Sequence, residues 1–169
     1  MISKIKGIEY NPPRTTGQTA GYGASTSERV VNSLLIPAGS FKQYDLFGID
    51  SRLIKSGTNG TVTVRIRIAT SVAGGLTGAL VGTYTSTSAA HTLIPIMRRL
   101  SIQNLTNSTV VLTNTTSSSG DFAGPSVGFS TVTTINWSVD QYVIITSQTA
   151  SSLDTVYCPY IITDFIQGA

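Results

Sequence analysis

The chain has 169 residues, of which 40% are hydrophobic and only 11% are charged, and its formal net charge is +3. This length corresponds to one domain with enough apolar residues for its own core, while the charged share is less than half of the usual one. The single cysteine excludes an intrachain disulfide and a cysteine-based metal cluster. With so few charges, hydroxyl and amide side chains must form much of the surface. This favours an assembly component, which hides surface against neighbours, over an enzyme.

The basic residues are unevenly placed along the chain. All eleven Lys and Arg residues lie between Lys4 and Arg99, but they are spread over that range. Nucleic-acid sites are usually clustered basic stripes, so we predict no nucleic-acid partner. No stretch approaches about 18 consecutive apolar residues, and we therefore predict no membrane partner.

The N-terminal segment differs in composition from the rest of the chain. Residues 1–32 are rich in Gly, Pro, Ser and Thr and include Pro12-Pro13, a composition that does not make a packed element. We predict an extended docking arm over residues 1–32, followed by a single domain over residues 33–169. The predicted anchors of the arm on a partner chain are Ile2, Ile5, Ile8 and Tyr10.

From residue 33 onward the sequence predicts strands and no amphipathic helix. Asn59-Gly60 predicts a hairpin turn. The following segment, Thr61 to Ile68, alternates Val and Ile with Thr and Arg, which predicts an antiparallel strand with one face in water. The other predicted strands are 34–36, 41–49, 79–85, 91–103, 109–112, 127–135, 137–147 and 154–166. About eight strands separated by turn signals predict an all-β fold, an antiparallel jelly-roll β-sandwich.

One predicted strand contains a conflict between pattern and chemistry. The alternation of Ile96, Leu100 and Ile102 would place Arg98 on the apolar inner face. Either a bulge near Arg98 resets the register, or Arg98 is buried and paired at an interface.

The last strand is apolar on both sides of a regular alternation. One side carries Val156, Cys158, Tyr160, Ile162 and Ile166, and the other carries Tyr157, Ile161 and Phe165. A strand that is apolar on both faces is covered on both faces. The partner sheet would supply one cover, and a neighbouring subunit or a long loop the other. A single chain of this size can rarely spare a second layer, so we favour an oligomer. The predicted oligomer interface therefore consists of Val156, Tyr157, Tyr160, Ile161 and Phe165.

Residues that could carry catalysis are sparse. The sequence contains no Gly-x-Ser-x-Gly motif whose serine the only histidine, His91, could activate. Cys158 has no basic neighbour in sequence that would lower the pKa of a thiol. The aspartates at turn-like or strand-flanking positions, where Asp commonly shapes turns, are Asp45, Asp50, Asp121, Asp140 and Asp154. We predict a non-enzymatic protein without metal or cofactor, with a buried structural thiol at Cys158. Trp137 could stack on a sugar, but we predict that it lies in the core.

Several runs together carry a resemblance to a known class of domains. Residues 35–41 read LIPAGSF and residues 57–68 read GTNGTVTVRIRI. Residues 135–137 (INW), residues 140–144 (DQYVI) and the apolar last strand complete the pattern. Over roughly residues 33–166 the chain resembles the small jelly-roll domains in virion proteins of tailed bacteriophages. These domains occur in head fibres, tail spikes and auxiliary capsid proteins.

The resemblance implies a homotrimer that is assembled in the cytoplasm of the bacterial host and located in the virion. With the arm, it predicts a spike, decoration protein or head-fibre component anchored to other virion proteins of the capsid or tail. The alternative is a receptor-recognition tip of a tail fibre that binds carbohydrate. In either case the loops at 71–78 and 114–124 would face solvent or a host surface glycan.

Overall fold

The computed structural model describes residues 5–10, 26–58, 60–86, 93–114 and 128–166. Within these ranges the chain consists of ten strands and one short 3-10 turn at Gly75–Thr77. The strands are β1 (Ile5–Tyr10), β2 (Arg29–Ile36), β3 (Leu46–Ser56), β4 (Val62–Ala69), β5 (Ala79–Thr85), β6 (Leu93–Asn104), β7 (Ser108–Asn114), β8 (Gly128–Thr133), β9 (Gln141–Thr149) and β10 (Thr155–Ile166). The all-β prediction is confirmed.

The strands form two antiparallel sheets packed face to face. The six-stranded sheet has the order β1-β10-β3-β6-β7-β8, and the four-stranded sheet has the order β2-β9-β4-β5. The β7–β8 hairpin extends the first sheet at one edge. Without it, two four-stranded sheets remain, and their strand order is the double Greek key of a jelly roll. The predicted fold class is therefore confirmed, and β1 is the strand that the sequence did not predict.

The core lies between the sheets, where inward side chains of both interdigitate. The alternation predicted for β4 is confirmed, because Val62, Val64, Ile66 and Ile68 are buried and the residues between them are half-buried. Such alternation is the pattern of an antiparallel strand with one face in the core.

An aromatic cluster of Phe41, Phe47, Trp137 and Phe165 lies within this core. Phe41 meets Trp137 edge-on with ring centroids 4.7 Å apart, and the ring of Phe47 stacks on that of Phe165. The indole Nε1 of Trp137 donates a hydrogen bond of 2.8 Å to the buried hydroxyl of Thr109. A buried indole needs such a partner, and the prediction that Trp137 lies in the core is confirmed.

The N-terminal region is organised differently from the prediction. The boundary predicted at residue 33 falls inside β2, which begins at Arg29. Part of the predicted arm, β1, pairs antiparallel with β10 and forms an edge of the six-stranded sheet. The backbone hydrogen-bonding groups of β10 supply the partner that the composition did not reveal. Of the predicted anchors, Ile5, Ile8 and Tyr10 lie in β1, whereas Ile2 lies outside the described residues.

The hairpin predicted at Asn59-Gly60 is wrong. Strands β3 and β4 belong to different sheets, so the turn between them carries the chain across the sandwich. At its start Gly57 has a φ of +117°, and a Cβ there would lie 2.4 Å from the carbonyl oxygen of Leu153. Glycine is required at such a conformation. Asn59 itself lies outside the described residues.

β10 is apolar on both faces, as predicted, but a bulge changes which residues lie on each face. The register of β10 against β3 shifts between Tyr157 and Tyr160, a stretch that contains Pro159, which has no N–H to donate. The bulge inserts one residue and exchanges the faces. Consequently Val156, Ile161 and Phe165, three of the five predicted interface residues, pack into the core of their own chain. Tyr157 and Tyr160 remain on the outside.

The conflict at Arg98 is resolved in favour of burial. The pairing of β6 with β3 runs without a shift from Leu93 to Ser101. Arg98 therefore points between the sheets and is only 8% exposed. It packs over Gly82 of β5, where a Cβ would lie 2.7 Å from the Arg98 Nε. The predicted bulge alternative is wrong, and the pairing of Arg98 at an interface stays a prediction.

Candidate interaction surface

An apolar surface covers the side of the six-stranded sheet that faces away from the core. We call the outward side chains of β10, β3 and β6 the outer face. Hydrogen-bond register arranges them in rows across the three strands, and nine of the fifteen positions are apolar. The two rows nearest the start of β10 are Tyr157–Ile54–Leu93 and Tyr160–Arg52–Pro95. The next three are Ile162–Asp50–Met97, Asp164–Gly48–Arg99 and Ile166–Leu46–Ser101.

The first of these rows contains two exposed hydrophobic side chains. Tyr157 is 42% exposed and Leu93 is 51% exposed, on either side of the half-buried Ile54. Single exposed apolar residues are common, but contiguous ones usually mark an interaction site. The row makes the start of β10 an accessible apolar part of the outer face.

An ion pair crosses the same face near the end of β10. Arg99 of β6 binds both carboxylate oxygens of Asp164 on β10, and β3 lies between the two strands. The pair passes directly over Gly48, where a Cβ would lie 1.6 Å from Arg99 Nη1. Glycine at this position of β3 makes room for the bridge.

Asp50, Arg52 and Tyr160 lie between the exposed row and this ion pair. Burial raises the pKa of Asp50, against the opposing effect of the positive charges of Arg52 and Arg99. Burial also raises the pKa of Tyr160, again opposed by Arg52. Both side chains are half-buried, whereas Arg52 between them is exposed. With Arg99 and Asp164, the face carries two positive and two negative charges and is neutral.

Beneath the bulge of β10 lies the single thiol of the chain. The Sγ of Cys158 is buried and lies 2.9 Å from the hydroxyl oxygen of Ser51, which also donates to the carbonyl oxygen of Tyr160. Burial raises the pKa of Cys158 to about 11, although hydrogen bonds with Ser51 and Asn32 oppose the shift. The prediction of a buried structural thiol is confirmed.

The aspartates play mostly structural roles. Asp45 accepts a hydrogen bond from the backbone N–H of Lys42, and Asp140 accepts one from that of Ala38, as predicted for turn residues. Asp50 differs, because it lies in the middle of β3 on the outer face. Asp121 and His91 lie outside the described residues. In the described part of the chain, no three His, Cys, Asp or Glu side chains are grouped to bind a metal.

Asp154 forms a buried ion pair with Lys55 between the end of β3 and the start of β10. Their charged atoms lie 3.5 Å apart, and both side chains are almost fully inaccessible to water. The Lys55 ammonium also donates to the carbonyl oxygen of Thr58, whose hydroxyl donates to Asp154. The pair therefore locks two turns of the sandwich together.

The loop at 71–78 is predicted to face solvent or a glycan, but part of it packs against the four-stranded sheet. Its Gly75 lies against Ile144, which faces outward from the four-stranded sheet and is nonetheless fully buried. Leu76 of this loop remains 44% exposed. The loop at 114–124 lies outside the described residues except for Asn114.

Two of the interface residues predicted from the sequence, Tyr157 and Tyr160, lie on the outer face. The residues that β3 and β6 contribute to this face were not among the predicted ones. Arg52, Ile54 and Leu93 join the face only because β3 and β6 lie beside β10 in the sheet. Alternation with period two shows which residues of one strand share a face. It does not show which distant segments become neighbouring strands in the sheet.

The geometry defines the class of the protein as a double-Greek-key jelly-roll sandwich with a neutral, largely apolar outer face. No protein-family model matches the chain, and no curated protein matches it. Among solved structures, the dimeric latent PorU of Porphyromonas gingivalis aligns with 99% of this chain, at 12% identity and a TM-score of 0.45. The chain spans 13% of that protein's length. Similarity at this level carries no argument about function. Within the described ranges, no helix is long and apolar enough to cross a membrane.

Proposed function

We propose that the chain is a structural component of a bacteriophage virion in which three copies pack together through the outer face. The observation that carries the proposal is the composition of that face. Nine apolar side chains lie around charges of opposite sign, and two of those charges, Arg99 and Asp164, bind each other. A buried charge is costly unless it is paired, so a face with matched charges can be covered at lower cost.

The strand order supports the same proposal. Jelly rolls of two Greek keys serve as viral capsid domains and as lectin domains. In addition, the runs at 35–41 and 57–68 resemble the opening strands of virion jelly rolls from tailed phages. In this proposal the chain acts as a spike, decoration protein or head-fibre component.

Attachment to a capsid or tail protein is assigned to the residues that precede β2. Within the described ranges, β1 pairs on one side only, with β10. Its other backbone edge can accept a strand from a partner, because unpaired strand edges are templates for strand addition.

Two measurements test the proposal. Light scattering of the purified chain should give about three times its mass of 17.8 kDa. Leu93→Glu, in the exposed row, should shift this trimer toward monomer at micromolar concentration. Leu153→Glu, at a residue that is 70% exposed but lies in the turn before β10, is the matched control and should leave the trimer intact. Antibodies against the chain should also label phage particles. A monomeric chain, or unlabelled particles, would contradict the proposal.

A second candidate function, carbohydrate recognition, is favoured by one specific arrangement. Tyr157 is 42% exposed, and in the neighbouring row the half-buried Tyr160 lies opposite Arg52. Aromatic rings next to hydrogen-bonding groups suit sugars, which have both apolar faces and hydroxyls. A glycan array with the purified chain tests this function. Binding that disappears in Tyr157→Ala and persists in Leu153→Ala would support it, whereas no binding at high concentration would exclude it.

A further inference from the structure

The N-terminal strand is attached to the sandwich in an unusual way. β1 is the edge of the six-stranded sheet, and within the described residues β10 is the only strand with which it pairs. Its register runs from Ile5 opposite Ile166 to Tyr10 opposite Ile162, with a shift between Ile5 and Ile8. The backbone pairing of β1 with β10 is one that a second copy of β1 could also make.

The chain between β1 and the rest of the sandwich is long enough to reach a neighbouring molecule. Residues 11–25 separate Tyr10 from the segment that leads into β2. Fifteen residues span at most roughly 50 Å when extended, and a domain of this size is on the order of 40 Å across.

The chain is fixed again before it enters β2. The carboxylate of Glu28 accepts hydrogen bonds from Arg67 Nε at 3.0 Å and from the hydroxyl of Thr146 at 2.6 Å. Arg65 lies 3.2 Å from the same carboxylate, and the backbone carbonyl of Thr26 accepts a bond from Gln148. These contacts hold residues 26–28 on the outer side of the four-stranded sheet. β1 can consequently leave its place without displacing β2.

From these three observations we propose that β1 exchanges between copies, so that the β1 of one protomer pairs with the β10 of the next. The partner is a second copy of this chain, because only β1 is known to fit the β10 edge in register. Exchange preserves every backbone bond of the closed form, so it adds a link between protomers at little cost. In the trimer of the proposed function, on which this inference rests, neighbouring β10 edges are present at high effective concentration. Each protomer then donates one strand and receives one, which closes a ring.

A disulfide placed across the β1–β10 register tests the exchange. Tyr10 and Ile162 are directly opposite each other, so the full chain with Tyr10→Cys and Ile162→Cys is oxidised and separated without reductant. Exchange predicts a covalent species of about three times the mass of 17.8 kDa, which reduction converts to the single chain. The buried Cys158 does not compete for the link. The single variants Tyr10→Cys and Ile162→Cys are the controls, and neither should give a covalent trimer.

The outcomes separate this inference from the proposed function. A native trimer whose cysteine pair links only within one chain would overturn the exchange and leave the proposed assembly standing. A native trimer in which no link forms would also overturn it, since β1 would then not lie on any β10 edge. A native monomer would overturn both. A covalent trimer from the double variant, with unlinked single variants, would support both.

Discussion

Arg99 and Asp164 bridge the second and fourth strands of the six-stranded sheet by passing over Gly48 of the strand between them. The bridge ties β6 to β10 on the outside of the sheet, where the two strands have no backbone bonds to each other. It exists only because the intervening residue has no side chain.

Gly48→Ala should therefore lower the free energy of unfolding through a clash with this bridge. The new Cβ would lie within 2 Å of both Arg99 Nη1 and Asp164 Oδ1. Both side chains are partly exposed and can move aside, so the expected cost is the loss of a surface ion pair, about 1 kcal/mol. Urea denaturation of the variant measures the loss. In an Arg99→Ala, Asp164→Ala background the same substitution should cost much less. An equal cost in both backgrounds would show that the bridge is not the cause.

Lys55 and Asp154 provide a second stability test, because both are buried. Lys55→Met removes the cation and leaves the carboxylate uncompensated, which typically costs 3–5 kcal/mol, so we expect a loss of about 4 kcal/mol. The combined variant Lys55→Met with Asp154→Leu replaces the pair by apolar side chains and should recover at least half of that loss. Chemical denaturation of the two variants gives both values. A loss below about 1 kcal/mol in the single variant contradicts the assigned role of the pair.

The contacts of Glu28 predict a dependence of stability on pH. Burial alone would raise the pKa of this carboxyl, but the hydrogen bonds from Arg67 and Thr146 and the charge of Arg65 hold it below its usual value of 4.5. A carboxyl with a lowered folded-state pKa stabilises the fold above its unfolded pKa, and this stabilisation is lost as pH falls through the folded pKa.

Glu28→Gln should accordingly destabilise the chain at pH 7 by roughly 1 kcal/mol, as for a partly exposed ion pair. The difference from the natural chain should shrink as pH is lowered below 4.5. Thermal unfolding at several pH values measures it. Arg29→Gln, at the exposed first residue of β2, is the control and should have little effect at either pH. A difference that is constant with pH would refute the assignment.

The thiol of Cys158 should resist modification in the folded chain. With a pKa of about 11 it is almost entirely protonated at pH 8, and only the thiolate reacts with alkylating agents. We expect alkylation to be at least about 100-fold slower than that of a cysteine placed at the exposed position 157 in a Cys158→Ser background. Mass spectrometry over time follows both reactions, and full reactivity should return in denaturant. Equal rates in the folded proteins would rule out the buried environment.

Local sequence patterns predict which segments form strands better than they predict which strands pair with each other. β4 could be read directly, because its Val and Ile alternate without interruption from Val62 to Ile68. The faces predicted for β10 are wrong because regular alternation does not continue through Pro159. A proline in a central strand is itself a signal of a bulge, and its recognition would have placed Ile161 and Phe165 in the core. No local signal distinguishes a turn between sheets from a hairpin, as the segment from Gly57 to Gly60 illustrates.

The N-terminal strand could not have been predicted from local propensity. Ile5–Tyr10 is short and lies in a region of glycine and proline, and its conformation depends on the edge that β10 offers. Likewise the outer face arises from three strands that are far apart in sequence. Two of its four charged residues, Asp50 and Arg52, come next to β10 and β6 only because β3 lies between those strands.

The antiparallel pairing of Ile5 with Ile166 gives the molecule two distinct poles. Whatever is joined before Ile5 or after Ile166 leaves the sandwich at the same pole, beside the start of β3 at Leu46. The turns at 57–61 and 150–154 lie at the opposite pole, where the Lys55–Asp154 pair joins them. A particle that holds this domain by either terminus would therefore present those two turns on the side away from the point of attachment.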